Sequence, residues 1–247
     1  MTEREDAWAG GAYERVADEF APIHDRVVAA VAPQPGERVL DVACGTGGVA
    51  LRAARAGAEV VGLDLSAAQL EKARAAASSE GLDVRFDEGD CQEMPYEEAS
   101  FDVVVSVFGA IFAASHAAAA AELGRVCRPG GRLALTAWPF DGWAIVGELL
   151  NREYPEGDDA TQWVRQEYAE QLLGRAFDLR FDWGRWEVRR GSADDVWEFA
   201  ATSVPPFKAW VDGLDELTRV EVEAVYKELF AGGLFRREYV LVLGERR

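Results

Sequence analysis

Apolar runs and stretches of helical periodicity alternate along the chain from residue 33 to residue 138. The apolar runs predict strands over 38–42, 59–63, 84–88, 101–107 and 132–138. Helical spacing between them predicts helices over 48–56, 67–80 and 116–127. Strands that alternate with helices imply right-handed crossovers and a parallel sheet covered by helices on both faces. The uniformly apolar run 101–107 agrees with this, because both faces of that strand must be buried.

The two flanks of this region follow different patterns. Apolar residues at helical spacing over 12–32 predict one or two amphipathic helices, and Pro33 and Gly36 then turn the chain. Beyond residue 139 the pattern predicts helices over 143–151, 161–173, 193–200 and 214–230, and strands near 179–188 and 235–243. We therefore expect a single α/β domain with a doubly wound, mostly parallel, Rossmann-like sheet. Its expected parts are an N-terminal helical cap (1–32), a central core (33–138), a helical lid inserted late in the chain (139–234) and a final strand (235–247).

Composition and charge narrow the class of protein. The 247 residues are 49% hydrophobic, which favours an ordered globular protein over a disordered one. The formal net charge is -18, and a surface this acidic repels phosphate groups, so nucleic acid and anionic membranes are poor partners. The start of the chain lacks the basic and apolar blocks of a signal peptide, and no apolar stretch has the length and hydrophobicity of a membrane span. We therefore expect a cytoplasmic protein.

Cysteine and histidine are too few and too scattered to predict a metal site or a disulfide framework. The cysteines are Cys44, Cys91 and Cys127, an odd number with no two close in sequence. The only histidines are His24 and His116. We therefore expect no metal and no zinc knuckle.

A glycine loop lies between the first predicted strand and the first helix of the core. Gly45 and Gly47 lack a Cβ, so the backbone can turn sharply and a ligand can approach closely. The helix that follows aims its N–H groups at the loop. Asp64 ends the next strand, where a carboxylate can accept both hydroxyls of a ribose. Residues 45–50 also satisfy the pattern of a nicotinamide dinucleotide site, so this motif alone leaves two classes of cofactor open.

Three further features favour a cationic adenosyl cofactor. Asp41 precedes the glycines, where a carboxylate would repel a pyrophosphate but suits an α-amino group or a sulfonium. Asp90 and Cys91 follow the third strand, where a polar side chain and an N–H can pair with an adenine edge. The segment 123–131 leads from a helix through a Pro-Gly-Gly turn into the fifth strand.

Together these segments resemble the class I S-adenosylmethionine-dependent methyltransferases, and most closely the bacterial small-molecule group that is similar to the ubiquinone and menaquinone biosynthesis methyltransferases. The resemblance covers about residues 10–138 and is carried by 39–47, 61–66, 89–101 and 125–131. It implies a seven-stranded sheet of order 3-2-1-4-5-7-6 with the last strand antiparallel, and 235–243 fits that strand.

The same resemblance implies a reaction. S-adenosyl-L-methionine would be the methyl donor and S-adenosyl-L-homocysteine the product. The acceptor would be a small organic molecule, methylated on O, N, S or C by in-line displacement, in a protein that is a monomer or a homodimer. Two alternatives stay open: an NAD-dependent oxidoreductase, and a protein that binds S-adenosylmethionine without transferring a methyl group.

The resemblance also carries cofactor roles to particular residues. The glycine loop and Asp41 would line the methionine end, Asp64 would hold the ribose with Leu65 against the adenine, and Asp90 would meet the adenine edge. Ala43 stands where the commonest loop has glycine. Tyr13, on the N-terminal helix, would touch the carboxylate end or the substrate, or else pack as a half-buried aromatic. The candidate cofactor-binding residues are Tyr13, Asp41, Ala43, Cys44, Gly45, Gly47, Asp64, Leu65, Asp90, Cys91, Val107 and Phe108.

Candidates for catalysis and for acceptor binding are fewer. His116 is a candidate general base, although its position at a predicted helix start is more typical of an exposed residue. No strong catalytic base is evident in the sequence. Aromatic residues are dense from residue 138 onward, which suits either a lid over an organic ligand or a small core of their own. The candidate acceptor contacts are His24, Trp138, Phe140 and Trp143.

Overall fold

A seven-stranded sheet forms the centre of the computed structural model, which describes residues 12–138 and 160–247. The strands lie in the order β3-β2-β1-β4-β5-β7-β6. Neighbouring strands from β3 to β5 are parallel, whereas β7 is antiparallel to β5. The predicted strand order and the antiparallel last strand are therefore confirmed. The strands are β1 Arg38–Val42, β2 Glu59–Asp64, β3 Val84–Glu88, β4 Phe101–Val107, β5 Cys127–Ala137, β6 Phe177–Arg189 and β7 Leu234–Arg246.

Nine α-helices and two short 3-10 turns occur within the described residues. The helices are α1 Tyr13–Glu19, α2 Ala21–Val31, α3 Gly48–Arg55, α4 Ala67–Glu80, α5 His116–Val126, α6 Gln166–Leu173, α7 Ala193–Ser203, α8 Pro205–Asp212 and α9 Glu216–Leu229. The 3-10 turns are Ala110–Phe112 and Ala160–Val164. The predicted helix over 143–151 and the candidates Phe140 and Trp143 lie outside the described residues.

The middle of the sheet is buried on both faces. Val103, Val104 and Val105 of β4 are each completely buried, and successive residues of a strand point to opposite faces. The continuous apolar run is therefore the signature of a strand covered from both sides, as predicted. Burial of such side chains stabilises the fold by about 1.5 to 3 kcal/mol each and fixes the strand ends that carry the candidate site.

Side-chain caps set where two of the helices around the sheet begin. The Ser66 hydroxyl accepts a hydrogen bond from the backbone N–H of Gln69 at the start of α4, and the Ser115 hydroxyl accepts one from Ala118 at the start of α5. Such caps satisfy N–H groups that have no partner in the helix. Both helices therefore begin just beyond loops that hold candidate site residues.

The chain divides into two units. Among the described residues the larger unit holds 20–138, 160–184 and 239–247, and the smaller holds 12–19 and 185–238. Helix α2 belongs to the predicted cap over 1–32. In this division it lies in the same unit as most of the sheet, whereas α1 lies in the smaller unit. The smaller unit has its own buried core, in which the rings of Trp197, Phe207 and Tyr226 pack with centroids 5.1 to 5.7 Å apart. Trp197 is thus a core residue of this unit.

Some predicted boundaries were wrong. Strand β5 begins at Cys127 and not at 132, with a register shift against β4 between Phe101 and Val103. The helix predicted over 161–173 is a 3-10 turn followed by α6, with Arg165 in an extended conformation between them. Helix α8 was not predicted, because consecutive prolines usually end a helix. At the first turn, however, a proline has no intrahelical N–H bond to lose.

Candidate cofactor and acceptor site

The glycine loop, residues 43–47, joins β1 to α3 through left-handed backbone conformations. Ala43, Gly45 and Gly47 have φ of 54°, 54° and 84°. A Cβ on Gly47 would lie 3.3 Å from Cζ of Phe86, so a side chain there would meet both strain and crowding. Ala43 adopts the conformation for which glycine is favoured, at a cost of about 1 to 2 kcal/mol. The loop therefore turns as the sequence predicts, even with alanine at the position where glycine is commonest.

Asp41 lies beneath the loop as a buried carboxyl group. It is 2% exposed, and its Oδ2 accepts a hydrogen bond of 2.9 Å from the backbone N–H of Ala50 in α3. Burial, aided by the charge of Asp64, raises the pKa of Asp41 to about 7. Within residues 12–138 and 160–247 no cation contributes to this pKa shift, so the carboxylate form has no balancing positive charge there. This is the property expected of a residue that receives a positively charged group.

Asp64, at the end of β2, ties its strand to the glycine loop. Its Oδ2 accepts from the N–H of Gly45 at 2.7 Å, and its Oδ1 accepts from the N–H of Ser66 at 2.9 Å. Burial raises its pKa, although these backbone bonds oppose the shift. A carboxylate oxygen can accept two hydrogen bonds, so both oxygens keep capacity for the two hydroxyls of a ribose. Leu65 follows directly in the chain.

Asp90 is held by a residue that sequence reasoning missed. Gln92 donates its backbone N–H to Oδ1 of Asp90 at 2.8 Å, and its side-chain amide also donates to that carboxylate. The Oε1 of Gln92 accepts from the N–H of Ser115 at 2.7 Å, at the start of α5. No sequence motif predicts a role for Gln92, because its partner Ser115 lies 23 residues further along the chain. The neighbouring thiol, Cys91, is buried, and burial raises its pKa to about 12, so it stays protonated.

The loop after Asp90 is clamped by an ion pair on α5. Arg125 pairs with Glu122 and donates to the carbonyl oxygens of Met94 and Tyr96 at 3.0 and 2.6 Å. Glu122 in turn accepts from the N–H of Met94 at 2.6 Å. These bonds fix the segment that follows β3, and with it the carboxylate of Asp90.

Phe108 is fixed at the carboxyl end of β4, directly after Val107. Its φ is 54°, and its N–H donates to the Thr136 hydroxyl on β5 at 3.0 Å. The buried Ser106 hydroxyl donates to the carbonyl of Val42 at 2.8 Å and accepts from the N–H of Ala110 at 2.9 Å. A non-glycine residue in this strained conformation needs surroundings that hold it, and the two hydroxyls provide them.

His116 was expected to be exposed, and this expectation was wrong. The side chain is completely buried, and its ring packs 5.3 Å from that of Trp163. Its Nε2 lies 2.7 Å from the carbonyl oxygen of Ile111, and its Nδ1 lies 2.9 Å from the Tyr168 hydroxyl. A carbonyl only accepts, so Nε2 carries the proton and Nδ1 accepts from Tyr168. With both nitrogens engaged inside the protein, these contacts weigh against a role as general base, and that role stays an untested prediction.

The other candidates are placed as follows. His24 is buried on α2, where burial and the nearby Arg52 lower its pKa to about 4, so it is neutral. Its ring packs against the backbone of Gly48 at the start of α3. Tyr13 is half-buried on α1, in the smaller unit. Trp138 is half-buried just after β5 and stacks on Phe108. A substrate contact by His24 and a cofactor contact by Tyr13 stay predictions.

Residues 12–138 and 160–247 contain neither a metal-ligand cluster nor a membrane-spanning helix. No group of three or more His, Cys, Asp and Glu side chains in this part of the chain could hold a metal ion. No helix within the same residues is long and apolar enough to cross a membrane.

The site fits the cofactor that the resemblance implies. The buried carboxyl group of Asp41 and the half-buried one of Asp64 lie on either side of the glycine loop. A cationic group beside Asp41 and vicinal hydroxyls beside Asp64 would match the chemistry of these donors and acceptors. A pyrophosphate would instead meet the negative charge of Asp41.

Comparisons with known proteins agree with this geometry. The family described as a methyltransferase domain matches residues 39–131. An uncharacterized protein of Mycobacterium tuberculosis (strain H37Rv) is 34% identical over 256 residues, which span 97% of this chain and 93% of that protein. The demethylmenaquinone methyltransferase of Deinococcus radiodurans is 44% identical over 115 residues, 46% of this chain and 48% of that protein.

The fold is also found in a solved structure. A geranyl diphosphate methyltransferase, determined in complex with S-adenosylmethionine, superposes with a TM-score of 0.58. The match covers 92% of this chain and 85% of that one, at 20% sequence identity. At this identity the likeness concerns the fold.

Proposed function

This chain belongs to the class I S-adenosylmethionine-dependent methyltransferases, and from that premise we propose that it methylates a small organic acceptor by in-line displacement. The observation that carries the proposal is the pair of carboxyl groups on either side of the glycine loop, of which Asp41 is buried and Asp64 half-buried. Membership in this family also decides against the nicotinamide alternative that the loop pattern alone left open.

The residues of the loop region bind and orient the cofactor in this proposal. S-adenosylmethionine, when bound, supplies an electrophilic methyl group on a sulfonium. Asp41 favours the cationic methionine end, and Asp64 accepts the ribose hydroxyls. Asp90, positioned by Gln92, meets the adenine edge. In each role the carboxylate already accepts a hydrogen bond from a backbone N–H of the protein, and this bond fixes its orientation.

The acceptor side contributes orientation and the exclusion of water. Val107 ends β4 and Phe108 follows it, both with apolar side chains. An apolar wall here would keep a nucleophile in line while it excludes competing water. Such a wall also favours a dispersed positive charge over a localised one, which lowers the barrier to transfer. A general base is then needed only for a nucleophile that must lose its proton early.

The nature of the acceptor and the setting of the protein are also part of the proposal. A small acceptor is supported by the similarity to a demethylmenaquinone methyltransferase, whose name gives a small molecule as its substrate. That similarity covers less than half of each chain. The net charge of -18 disfavours nucleic acid as a substrate. We further propose a cytoplasmic protein that acts as a monomer or a homodimer.

Calorimetry with the full chain tests the cofactor half of this proposal. We expect S-adenosylhomocysteine to bind at micromolar concentration and NADH not to bind. The variant Asp64→Asn removes one carboxylate oxygen and should weaken binding by about ten-fold or more. The control Asp178→Asn, an exposed residue that pairs with Arg247, should bind as the wild type does. An absence of binding at millimolar S-adenosylmethionine would overturn the proposal.

Measurement of methyl transfer tests the second half of the proposal, that the protein methylates a small acceptor. Incubation of the protein with S-adenosylmethionine and a panel of small acceptors should release S-adenosylhomocysteine. Cofactor binding with no release from any acceptor class would favour a protein that binds the cofactor without methyl transfer.

A further inference from the structure

A close contact joins the glycine loop to the segment that follows β4. Asp41 of β1 pairs with Val105 of β4 in parallel register, so the carboxyl ends of these two strands are neighbours at one edge of the sheet. A Cβ built on Gly109 would overlap the Cβ of Ala43 and would lie 2.9 Å from the Ala43 carbonyl oxygen. The methyl group of Ala43 is therefore in van der Waals contact with the backbone of Gly109.

The side chains at these two positions are the reverse of what their backbones favour. Ala43 has a φ of 54°, in the left-handed region that favours glycine, yet it has a Cβ. Gly109 has a φ of -106°, which residues with a Cβ also adopt, yet it has none. Space, and not backbone conformation, therefore accounts for the glycine at position 109, and the Ala43 methyl group takes up that space.

Residues 108–112 form the acceptor-side turn, which continues from the strand end that faces the acceptor in the proposed function. The N–H of Ala110 donates to the Ser106 hydroxyl at 2.9 Å, and this hydroxyl donates to the carbonyl of Val42 at 2.8 Å. The turn is thus connected to two successive residues at the end of β1. One connection is the hydrogen-bonded bridge to Val42, and the other is the methyl group of Ala43.

Backbone strain is concentrated at this contact. Phe108, which directly precedes Gly109, also has a φ of 54°. Within the described residues, four non-glycine residues have a positive φ, and two of them, Ala43 and Phe108, lie on the two sides of the contact. Such conformations persist only where the surroundings hold them, and they are concentrated at ligand sites and switch regions. The strain at Ala43 is therefore retained together with the contact that its methyl group makes.

The residues that follow Ala43 are bonded to the end of β2. Cys44 donates its N–H to the carbonyl of Leu63 at 3.0 Å, and Gly45 donates its N–H to Asp64 at 2.7 Å. In the proposed function Asp64 accepts the ribose hydroxyls of the cofactor. A bound cofactor then stabilises the loop in the conformation that places the Ala43 methyl group against the acceptor-side turn.

We propose that Ala43 is a positioning residue, which acts through Gly109 to hold the acceptor-side turn in place when the cofactor is bound. Cofactor binding thereby orders the surface that receives the acceptor, and the methyl donor and the acceptor are aligned by the same contact. This inference rests on the proposed function and assigns one residue to that alignment.

Hydrogen exchange at two backbone amides, followed by NMR on the full chain, measures the order of the turn. The N–H of Ala110 is bonded to Ser106, and that of Phe112 to the carbonyl of Gly109 at 3.0 Å, so both amides exchange when the turn opens. In the wild type we expect saturating S-adenosylhomocysteine to slow both exchange rates by about ten-fold or more. In Ala43→Gly the slowing should fall to about three-fold or less, because the methyl group that links the loop to the turn is absent.

The affinity for S-adenosylhomocysteine distinguishes a positioning role from damage to the loop. Glycine adopts the left-handed conformation of residue 43 without strain, so the Kd of Ala43→Gly, measured by calorimetry, should stay within about three-fold of the wild-type value. The matched control is Ala32→Gly, the same substitution at an exposed left-handed alanine that ends α2. It should leave the slowing of exchange as it is in the wild type. Equal slowing in the wild type and in Ala43→Gly would overturn the proposal.

Moving the methyl group across the contact is a second test. Gly109→Ala should lower the midpoint of urea unfolding, because the new Cβ overlaps that of Ala43. In the Ala43→Gly background the same substitution should lower it less than half as far, and part of the cost remains because the carbonyl oxygen of residue 43 is still close. Equal losses in both backgrounds would show that the methyl group does not make the contact. If Gly109→Ala alone does not fold, the exchange rates of Ala43→Gly and Ala32→Gly still decide.

Binding and exchange together separate this inference from the function on which it rests. A wild-type protein that does not bind S-adenosylhomocysteine would contradict the proposed function, and this inference with it. Binding that leaves the exchange of Ala110 and Phe112 unchanged would contradict the inference alone and leave the methyltransferase function standing.

Discussion

Among single residues, Asp41 has the largest electrostatic consequence for the site. Its carboxyl group is buried with one backbone hydrogen bond, and its pKa is raised to about 7 from the ordinary 3.8, mainly by burial. The ligand-free protein therefore holds a proton on Asp41 below neutral pH. A cationic cofactor favours the ionised form, so cofactor binding and loss of this proton are linked.

Cofactor affinity should consequently depend on pH. Between pH 8 and pH 6 we expect the Kd of S-adenosylmethionine to rise about ten-fold, because at pH 6 the proton on Asp41 must first be removed. Calorimetry at the two pH values measures this. The variant Asp41→Asn should bind more weakly at both, with no such dependence. An equal Kd at pH 6 and pH 8 for the wild type would contradict the linkage.

His116 offers a second test at this scale, because its two roles predict different losses. In the structure its ring bridges the Ile111 carbonyl and the Tyr168 hydroxyl. His116→Ala removes the bonds that its ring makes to both groups and creates a cavity, so we expect a loss of about 3 kcal/mol in the free energy of unfolding. His116→Gln can still donate to Ile111 and should recover part of it.

The kcat of the His116→Gln variant shows whether His116 has a positioning role or acts as a general base. At saturating substrates we expect kcat of His116→Gln to stay within about three-fold of the wild type, whereas removal of a general base costs about 100-fold or more. Urea denaturation and initial rates supply the two measurements. A large fall in kcat with unchanged stability would restore the base role.

At the scale of elements, the start of α3 depends on its contact with α2. The Gly48 backbone lies against the His24 ring so closely that a Cβ on Gly48 would overlap it. Gly48→Ala should therefore push α2 away from the helix that follows the glycine loop, at a cost of about 1 to 3 kcal/mol.

A double-mutant cycle checks that this cost comes from the contact. His24→Ala removes the ring, so Gly48→Ala in that background should cost much less in thermal and urea unfolding. Equal costs in both backgrounds would show that the clash is not the cause.

The elements also show how far the sequence determines this fold. Strands β1, β3 and β4 and helix α4 begin and end where the sequence predicts. The local signals are apolar residues within the strands, most continuous in β4, and the Ser66 cap and left-handed Gly81 at the two ends of α4. Boundaries set by tertiary contacts were missed. Strand β5 extends back to Cys127 through pairing with β4, and α8 starts on prolines.

In the candidate site, too, features that depend on local sequence are predictable, whereas those that depend on tertiary contacts are not. The positions of Asp41, Gly45, Gly47 and Asp64 are predictable, because strand ends and a short loop fix them locally. The burial of His116 depends on Tyr168, and the hold on Asp90 depends on a bond from Ser115 to Gln92. These partners are 52 and 23 residues away, and periodicity within one segment contains no information about them.

For the whole molecule, charge is the dominant long-range property. The chain has 44 acidic and 26 basic residues, giving a net charge of -18. Such an excess destabilises a compact state through self-repulsion, which acts over the full dimension of the molecule. Ion pairs such as Arg132–Glu37 and Arg128–Asp102 act over contact distances. Salt should therefore weaken the long-range repulsion much more than the attraction within these ion pairs.

Added salt should therefore stabilise this protein. The Debye length falls from about 30 Å at 0.01 M to about 10 Å at 0.1 M, which screens distant like charges but not groups in contact. If this relieves about 1 kcal/mol of repulsion, the Tm of a chain of this length rises by about 2 to 4 °C. Circular dichroism melts at pH 8 in 0.01 M and 0.1 M NaCl measure the shift. The rise should shrink near pH 4, where carboxylates begin to protonate and the net charge falls. A Tm that falls with salt at pH 8 would mean that the ion pairs outweigh the net repulsion.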